Sequence, residues 1–412
     1  KDDPVVAVQR YTTELVGSKA EDWTGSVGGP VTHAAIFDGE EYDARVSPLF
    51  VKDGVSGGGC EKNEEFNGDI LPSDGAEVTL RHDLTLNPVE AYSWQGVTGE
   101  NRGKKVFGKI VKTRTFKVPG PLEVVPGETL VVDFGQNCAA NPAFEFEAAE
   151  GTVLTCLPAE MLNDSNGERS RGNDGPAGSV YRENLRCPHI GMRVVYTFGK
   201  DGKASYMPRF TFFGYRYVAI TATAKMVISS LKSVPVTSIK KELELGKIET
   251  GVEGVNKLIS NVYWGQISNY LSVPTDCPQR NERLGWTADT QVFTEAGSFN
   301  ADTSAFFRKW MRDMRDSQHE LGGFPGVAPQ AQYGGQAMRF GWADAGVIVP
   351  YQVWKQFGDK MIVEENWQAM EKFVARVAMT KYAHEAIARE CENSQWADWL
   401  SYEKVETGSG QT

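Results

Sequence analysis

The sequence predicts a multidomain β + α protein, with antiparallel β-sandwich domains first and helices after them. Two patterns and the length predict this. Short apolar runs without helical period mark the first part, and between Leu122 and about Thr223 apolar and polar residues alternate, the period of half-buried strands. From about Gly251 onward the apolar spacing changes to three and four, the period of helices. A chain of 412 residues is also too long for one ordinary domain. The expected division is residues 1–120, an N-terminal β domain; 121–250, a β-sandwich and linker; and 251–412, a helical domain.

The first part is rich in glycine and turns, with short apolar runs at Thr32 to Phe37 and Lys105 to Val118. Ser56-Gly57-Gly58-Gly59-Cys60 and the polar run after it suggest an insertion loop. The strand signal then sharpens over Thr129 to Asp133, Ala143 to Glu147 and Thr152 to Leu157. Arg193 to Phe198 and Ala204 to Met207 flank Gly199-Lys200-Asp201-Gly202-Lys203, a connection that suggests a hairpin. Ordinary strands and turns from Ala224 to Ile248 lead into the helices. Three apolar stripes follow: Val255, Leu258, Ile259 and Val262; Phe306, Phe307, Trp310, Met311 and Met314; and Val363, Trp367, Met370, Val374 and Val377.

Composition excludes several roles. The net charge of −11 is spread along the chain and no basic patch stands out, which argues against a nucleic-acid partner. No run of about 18 apolar residues exists to cross a membrane. The six cysteines lie far apart, without metal-ligand spacing, so neither a metal site nor a disulfide framework is expected. No phosphate-cradling glycine loop appears, and no cofactor is implied. The chain starts at Lys1 without an apolar leader core, so any targeting segment is expected to have been removed or not included. Aromatic residues are plentiful, with 10 Trp and 14 Tyr; most suit a core, and some suit stacking on sugar rings.

The most unusual segment is Pro274 to Trp286, between two helical stretches. Its two prolines forbid regular helix, while Asp276, Arg280, Glu282, Arg283 and Trp286 crowd together. Two carboxylates, two guanidiniums and an indole can bind sugar hydroxyls, stack on a ring and deliver a proton to a leaving oxygen. The same composition also suits a solvated, salt-bridged loop.

The run from Asp276 to Asp289, Asp-Cys-Pro-Gln-Arg-Asn-Glu-Arg-Leu-Gly-Trp-Thr-Ala-Asp, resembles the signature of bacterial α-L-rhamnosidases of glycoside hydrolase family 78. Val132 to Asn137 and Pro208 to Tyr217 resemble the family's β-sandwich domain, and Ile36 to Arg45 the end of its N-terminal β domain. Phe340 to Ala345 and Trp396 to Leu400 are similar to family segments in the helical part. The resemblance implies that the helices are the first part of an (α/α)6 barrel. It also implies an inverting glycosidase without a cofactor that releases terminal α-L-rhamnose from a glycoside or polysaccharide.

Residue by residue, the resemblance implies Glu282 as the general acid. It places Asp276, Arg280, Trp286, Asp289, Trp342 and Trp399 around the rhamnose. Such a pocket needs apolar surface for the sugar's methyl group beside polar groups for its hydroxyls, and indoles beside carboxylates provide both. Two positions depart from the family pattern: Asn281 stands where Asp is usual, and Ala343 follows Trp342 where Gly is usual. Because Arg280 and Arg283 flank Glu282, its protonation leads us to expect that Arg280 faces the sugar or Asp276 instead, and that burial and other carboxylates keep the acid protonated.

An inverting mechanism needs a second carboxylate about 6.5–9.5 Å away to activate water. Only some five of the family's twelve or so helices fit between Gly251 and Thr412, so the base is expected beyond Thr412 and the 412 residues alone are expected to be inactive or unstable. Asp344 and Asp398 are expected to bind sugar or loop backbone. The alternatives are another glycosidase or a phosphorylase on the same barrel, and a carbohydrate-binding protein without catalysis. The compartment stays open, with a periplasmic or secreted location favoured.

Overall fold

One strand of twenty residues, Thr129–Ala148, organises the β part. Its first half pairs with Glu90–Thr98 on one side and Phe213–Ala222 on the other; its second half pairs with Gly202–Tyr206 and Met226–Thr237. With neighbours on both edges and apolar side chains at most positions, it is buried over Leu130 to Phe134 and again over Cys138 to Pro142. Gly135, in the left-handed region at φ 76°, separates the halves. The two runs read in the sequence as separate strands, Thr129 to Asp133 and Ala143 to Glu147, are thus one.

The computed structural model describes residues 29–46, 75–164, 168–169, 172–186, 191–331 and 341–379. Twelve strands join into a mixed sheet, whose main path runs Val31–Ala35, Gly39–Asp43, Arg193–Thr197, Val153–Ala159, Phe213–Ala222, Thr129–Ala148, Met226–Thr237 and Thr79–Leu80. Nearly every pair is antiparallel, as the sequence predicts; Gly39–Asp43 beside Arg193–Thr197 is parallel. Edge-to-face rings fill the core, with Phe146 against Phe198 at 4.7 Å and against Tyr196 at 4.8 Å.

The first strands are tied to this sheet by a buried charge. Glu40, 1% exposed, accepts hydrogen bonds from the Arg209 and Phe210 amides at 3.0 and 2.8 Å and from the Tyr206 hydroxyl. The expected hairpin across Gly199 to Lys203 does not form. Arg193–Thr197 already has both edges paired, to Gly39–Asp43 and Val153–Ala159, so Gly202–Tyr206 pairs instead with the second half of the long strand.

Among the described residues five helices follow: α1 (Glu253–Asn269), α2 (Thr287–Asn300), α3 (Ser304–Asp316), α4 (Ala345–Phe357) and α5 (Lys360–Met379). Helix α1 packs on the long strand and on Met226–Thr237, while α2, α3 and α5 gather on α4. The α3 stripe is as predicted: Phe306, Phe307, Trp310, Met311 and Met314 are all buried. The other two stripes are not. In α1 the buried residues are Gln266, Ile267 and Ser268, because its last turns meet α2 and the long strand, and Val255 and Leu258 are exposed. In α5, Trp367 and Val374 face outward while Ile362, Asn366, Ala369, Met370 and Phe373 are inside, a face turned by about one residue. Among the described residues no helix is long and apolar enough to cross a membrane.

Trp310 is fully buried, and its indole N–H donates to the Ala328 carbonyl at 2.9 Å. Trp310→Ala is expected to cost about 3–5 kcal/mol through the cavity and the lost bond. Equilibrium denaturation checks this; a loss below about 1 kcal/mol would show that Trp310 does not centre the helical core.

Candidate active site

The segment from Thr275 to Trp286 crosses from a two-residue strand, Val273–Pro274, to the start of α2 without regular structure. Its shape is set by reciprocal bonds. The Asp276 amide donates to the Leu284 carbonyl at 2.9 Å, and the Leu284 amide donates to Asp276 Oδ1 at 2.8 Å. Beyond this closure, Ala328 N donates to Gly285 O at 2.9 Å, and a Cβ at Gly285 would lie 2.1 Å from Ala328 O. Only glycine permits that approach.

The loop is also seated on the sheet. Arg283, itself in the left-handed region at φ 48° and 7% exposed, donates through Nη1 to the carbonyls of Ile36 and Phe212 at 2.9 and 3.0 Å. Its Nε donates to Arg280 O at 2.9 Å, and its guanidinium lies over the Phe212 ring at 4.4 Å and the Phe37 ring at 5.5 Å. On the same junction, a Cβ at Gly214 would come within 2.8 Å of the Gln279 backbone.

These contacts hold Glu282 among polar partners. Its Oε1 accepts the Trp286 indole N–H at 2.8 Å, and its Oε2 lies 2.8 Å from Arg280 Nη2 and 3.5 Å from Arg186 Nη1. Arg280 also reaches Asp276 Oδ2 at 3.3 Å and, through Nε, Cys277 Sγ at 3.2 Å. The expectation that Arg280 would face Asp276 instead of Glu282 therefore fails: it bridges both carboxylates, because one guanidinium fork offers enough N–H groups for the two. Arg283 does turn away. The second cation at Glu282 is Arg186, on a turn of the β part, which the sequence reading missed; nothing in sequence links it to a loop nearly a hundred residues on.

Burial sets the protonation of the neighbours. It pushes Asp276 above the ordinary carboxylate range, against the bonds from Cys277 and Leu284 that favour its charged form. Asp289, in the first turn of α2, is raised chiefly by burial, and the charges of Asp276 and Glu282 add to the rise. Glu160 of the β part is raised by burial as well, although the Asn137 and Asn184 side-chain amides donate to it at 2.9 and 3.1 Å. The buried Cys277 thiol is pushed up to about 12, so it stays protonated. Asp276, Cys277 and Glu282 place ligand-type atoms within 4.8 Å of one another. Arg280 touches all three, so a metal ion there would have to displace a guanidinium that already supplies the positive charge.

The structure thus brings Asp276, Arg280, Glu282 and Trp286 together, with Asp289 electrostatically coupled to them. Trp342 is half-buried just before α4, where Asp344 accepts the Gly341 amide at 2.7 Å, the loop-backbone role expected of it. Trp399 and Asp398 lie outside the described residues, as does the segment from Ser56 to Cys60.

A β-sheet part thus leads into helices, and a carboxylate held by an indole and a guanidinium lies where the two meet. The family model for the bacterial alpha-L-rhamnosidase 6 hairpin glycosidase domain matches residues 243–412, and that for the bacterial alpha-L-rhamnosidase concanavalin-like domain matches residues 123–238. The chain is 29% identical over 411 residues to an alpha-L-rhamnosidase of Formosa agariphila, covering 97% of this chain and 38% of that protein. It is 31% identical over 392 residues to one of Streptomyces avermitilis, covering 95% of this chain and 33% of that protein. The crystal structure of a Streptomyces avermitilis alpha-L-rhamnosidase complexed with L-rhamnose superposes with a TM-score of 0.63 at 28% identity, over 85% of this chain and 30% of that one. The chain belongs to the bacterial α-L-rhamnosidase family, and it spans roughly a third of the length of these curated relatives.

The raised Asp289 makes a stability prediction. The native state holds its proton at pH values where the unfolded chain has already lost it, so stability falls as pH rises from the unfolded value of about 3.9 through the raised native one. Asp289→Asn is expected to flatten this fall, with thermal melts across the acid range giving a smaller drop in Tm than the unaltered chain shows; an unchanged slope would mean that Asp289 does not titrate differently on folding.

Proposed function

We propose that the site acts as the acid half of an inverting α-L-rhamnosidase, releasing terminal α-L-rhamnose from glycosides or polysaccharides. The observation that carries this reading is the asymmetry around Glu282: one oxygen is fixed by the Trp286 indole, and the other points at the guanidinium of Arg280, which has an alternative partner in Asp276. Trp286 orients the carboxyl. Arg280 can transfer its donors to Asp276 and to the hydroxyls of an entering sugar, leaving Oε2 as the oxygen that carries the proton.

In the reaction, Glu282 Oε2–H gives its proton to the glycosidic oxygen as the bond from that oxygen to C1 breaks. Water attacks C1 from the opposite face and passes its proton to a second carboxylate. Asp276 is not that second group, since its oxygen lies within 4.8 Å of Glu282, short of the about 6.5–9.5 Å that a water between them requires. The water-activating carboxylate is unassigned among the described residues. Asp276, Arg280 and Asp289 are assigned to the rhamnose hydroxyls, and Trp286, Trp342 and Trp399 to its apolar side.

The family relatives named alpha-L-rhamnosidase and the rhamnose complex of one of them support this choice over a non-catalytic sugar-binding role. Glu282→Gln in the full-length gene product is expected to lower kcat on an unactivated rhamnosyl disaccharide by about 10²–10⁴-fold, and to lower it less on an aryl rhamnoside, whose leaving group needs less help from a proton. Equal rates for both forms on the disaccharide would remove Glu282 from the acid role and favour the sugar-binding reading.

A further inference from the structure

Away from the site at Glu282, we propose that the groove between α3 and α5 binds the carboxylate groups of an acidic polysaccharide. The choice of a polysaccharide rests on the reading of the chain as a rhamnosidase acting on such polymers; the preference for an anion rests on the groove alone.

Helix α3 carries two stripes. Phe306, Phe307, Trp310, Met311 and Met314 form the buried one, and the Trp310 indole ties it to Ala328, whose amide bonds to Gly285 in the loop that holds Glu282. Arg308, Arg312 and Arg315, at helical spacing, form the other, with Lys309 beside them. Seven residues of helix rise about 10 Å, so these guanidiniums are strung along a line rather than gathered on one point. A cavity of about 430 Å³ opens between this stripe and α5, lined by Ala305, Arg308, Lys309, Arg312, Arg315 and Glu365. Four cations thus face one carboxylate, on a chain whose net charge is −11.

Some of that charge is matched within the helices. Arg308 pairs with Glu365, and Lys309 with Asp313 at 2.7 Å. Arg315 is held differently. Half-buried, it donates from Nη1 to Asn366 Oδ1 at 2.7 Å, and the fully buried Asn366 is fixed in turn by donating to the Ile362 carbonyl at 2.6 Å. Among the described residues Arg315 forms no ion pair; Glu365 and Asp316 act on it only through space. Burial outweighs them and lowers the affinity of Arg315 for its proton. A bridge that served only to join two helices would gain more from a carboxylate opposite the guanidinium, or from two apolar side chains. A neutral amide instead sets the direction of the guanidinium and leaves its charge uncancelled. The last turn of α3 suits a cation at Arg315, but Arg308 and Lys309 lie too far from that end to gain from the helix dipole.

The lining identifies the occupant. Guanidinium forks match carboxylates through paired N–H bonds. No aromatic side chain lines the cavity, so stacking on bases or sugar faces contributes nothing and recognition is left to charge. A line of cations suits a ligand that repeats its charge along a chain, whereas one small anion needs donors that converge on it. Because the groove lies on a different face of α3 from the Trp310 stripe, polymer held there leaves the rhamnose pocket open and keeps further chain ends close to it.

The test uses the full-length gene product in native affinity electrophoresis, with carboxymethyl-dextran or uncharged dextran in the gel, and with hydrolysis of an aryl α-L-rhamnoside measured alongside. The unaltered protein is expected to be retarded by carboxymethyl-dextran and not by dextran, and added salt should abolish the retardation. Arg312→Gln/Arg315→Gln is expected to raise the apparent Kd about ten-fold while kcat/KM on the aryl rhamnoside stays unchanged. Lys257→Gln, which removes an exposed cation from α1, should alter neither. Arg312→Gln alone, at an exposed position, should raise the Kd about three-fold and serves if Arg315 is needed for folding. Equal retardation by the two polymers, or equal retention of the unaltered and doubly altered proteins, overturns the proposal. So does calorimetry in which inorganic phosphate binds as tightly as the polymer, since the groove would then be a small-anion site. Failure of the rhamnosidase reading shows separately, as an aryl rhamnoside left uncleaved by a protein that still holds the polymer.

Discussion

Arg283 carries a charge into the junction between sheet and helices, and the position of the site depends on how that charge is satisfied. Its guanidinium accounts for carbonyls from three separate stretches of chain, at Ile36, Phe212 and Arg280, and covers its faces with two phenyl rings. A buried cation is costly unless its donors are used, so the loop cannot lift from the sheet without stranding them. Glu282 is the adjacent residue. Its carboxylate is placed by a clamp whose own side chain points the other way.

The same junction explains the electrostatics. Because the loop is pressed against the sheet, Asp276 and Asp289 lose enough water for burial to outweigh the hydrogen bonds that favour their charged forms. Glu160 shows the same effect from the β side. Several carboxyls with a raised affinity for protons beside two guanidiniums make a site whose charge can be redistributed over short distances, which suits the proton-donating role proposed for Glu282.

Much of this was legible in the sequence, and unevenly so. The change of period near Gly251 marked the passage from strands to helices, and the α3 stripe from Phe306 to Met314 was read correctly because its burial is one-sided. Readings failed where a neighbour distant in the chain decides. The hairpin at Gly199 to Lys203 was lost to a parallel partner some 150 residues upstream. The α1 stripe at Val255 and Leu258 faces outward because full burial in this helix begins only at Gln266, where it meets α2. At the site, the charged loop from Asp276 to Trp286 stood out as local density, whereas Arg186 did not, since its relation to Glu282 exists only after the β part has folded against the loop. The sharing of Arg280 between two carboxylates is likewise a matter of angles that spacing does not encode.

Gly214 gives the junction a further meaning. Where the strand Phe213–Ala222 passes Gln279, there is no room for even one methyl group, so backbone meets backbone. The candidate active-site segment therefore takes its coordinates from the sheet as much as from its own residues. Copied onto another helical barrel, the stretch from Asp276 to Asp289 would bring its chemistry but leave behind the surface that aims it, and in that sense the β part is a mould for the site.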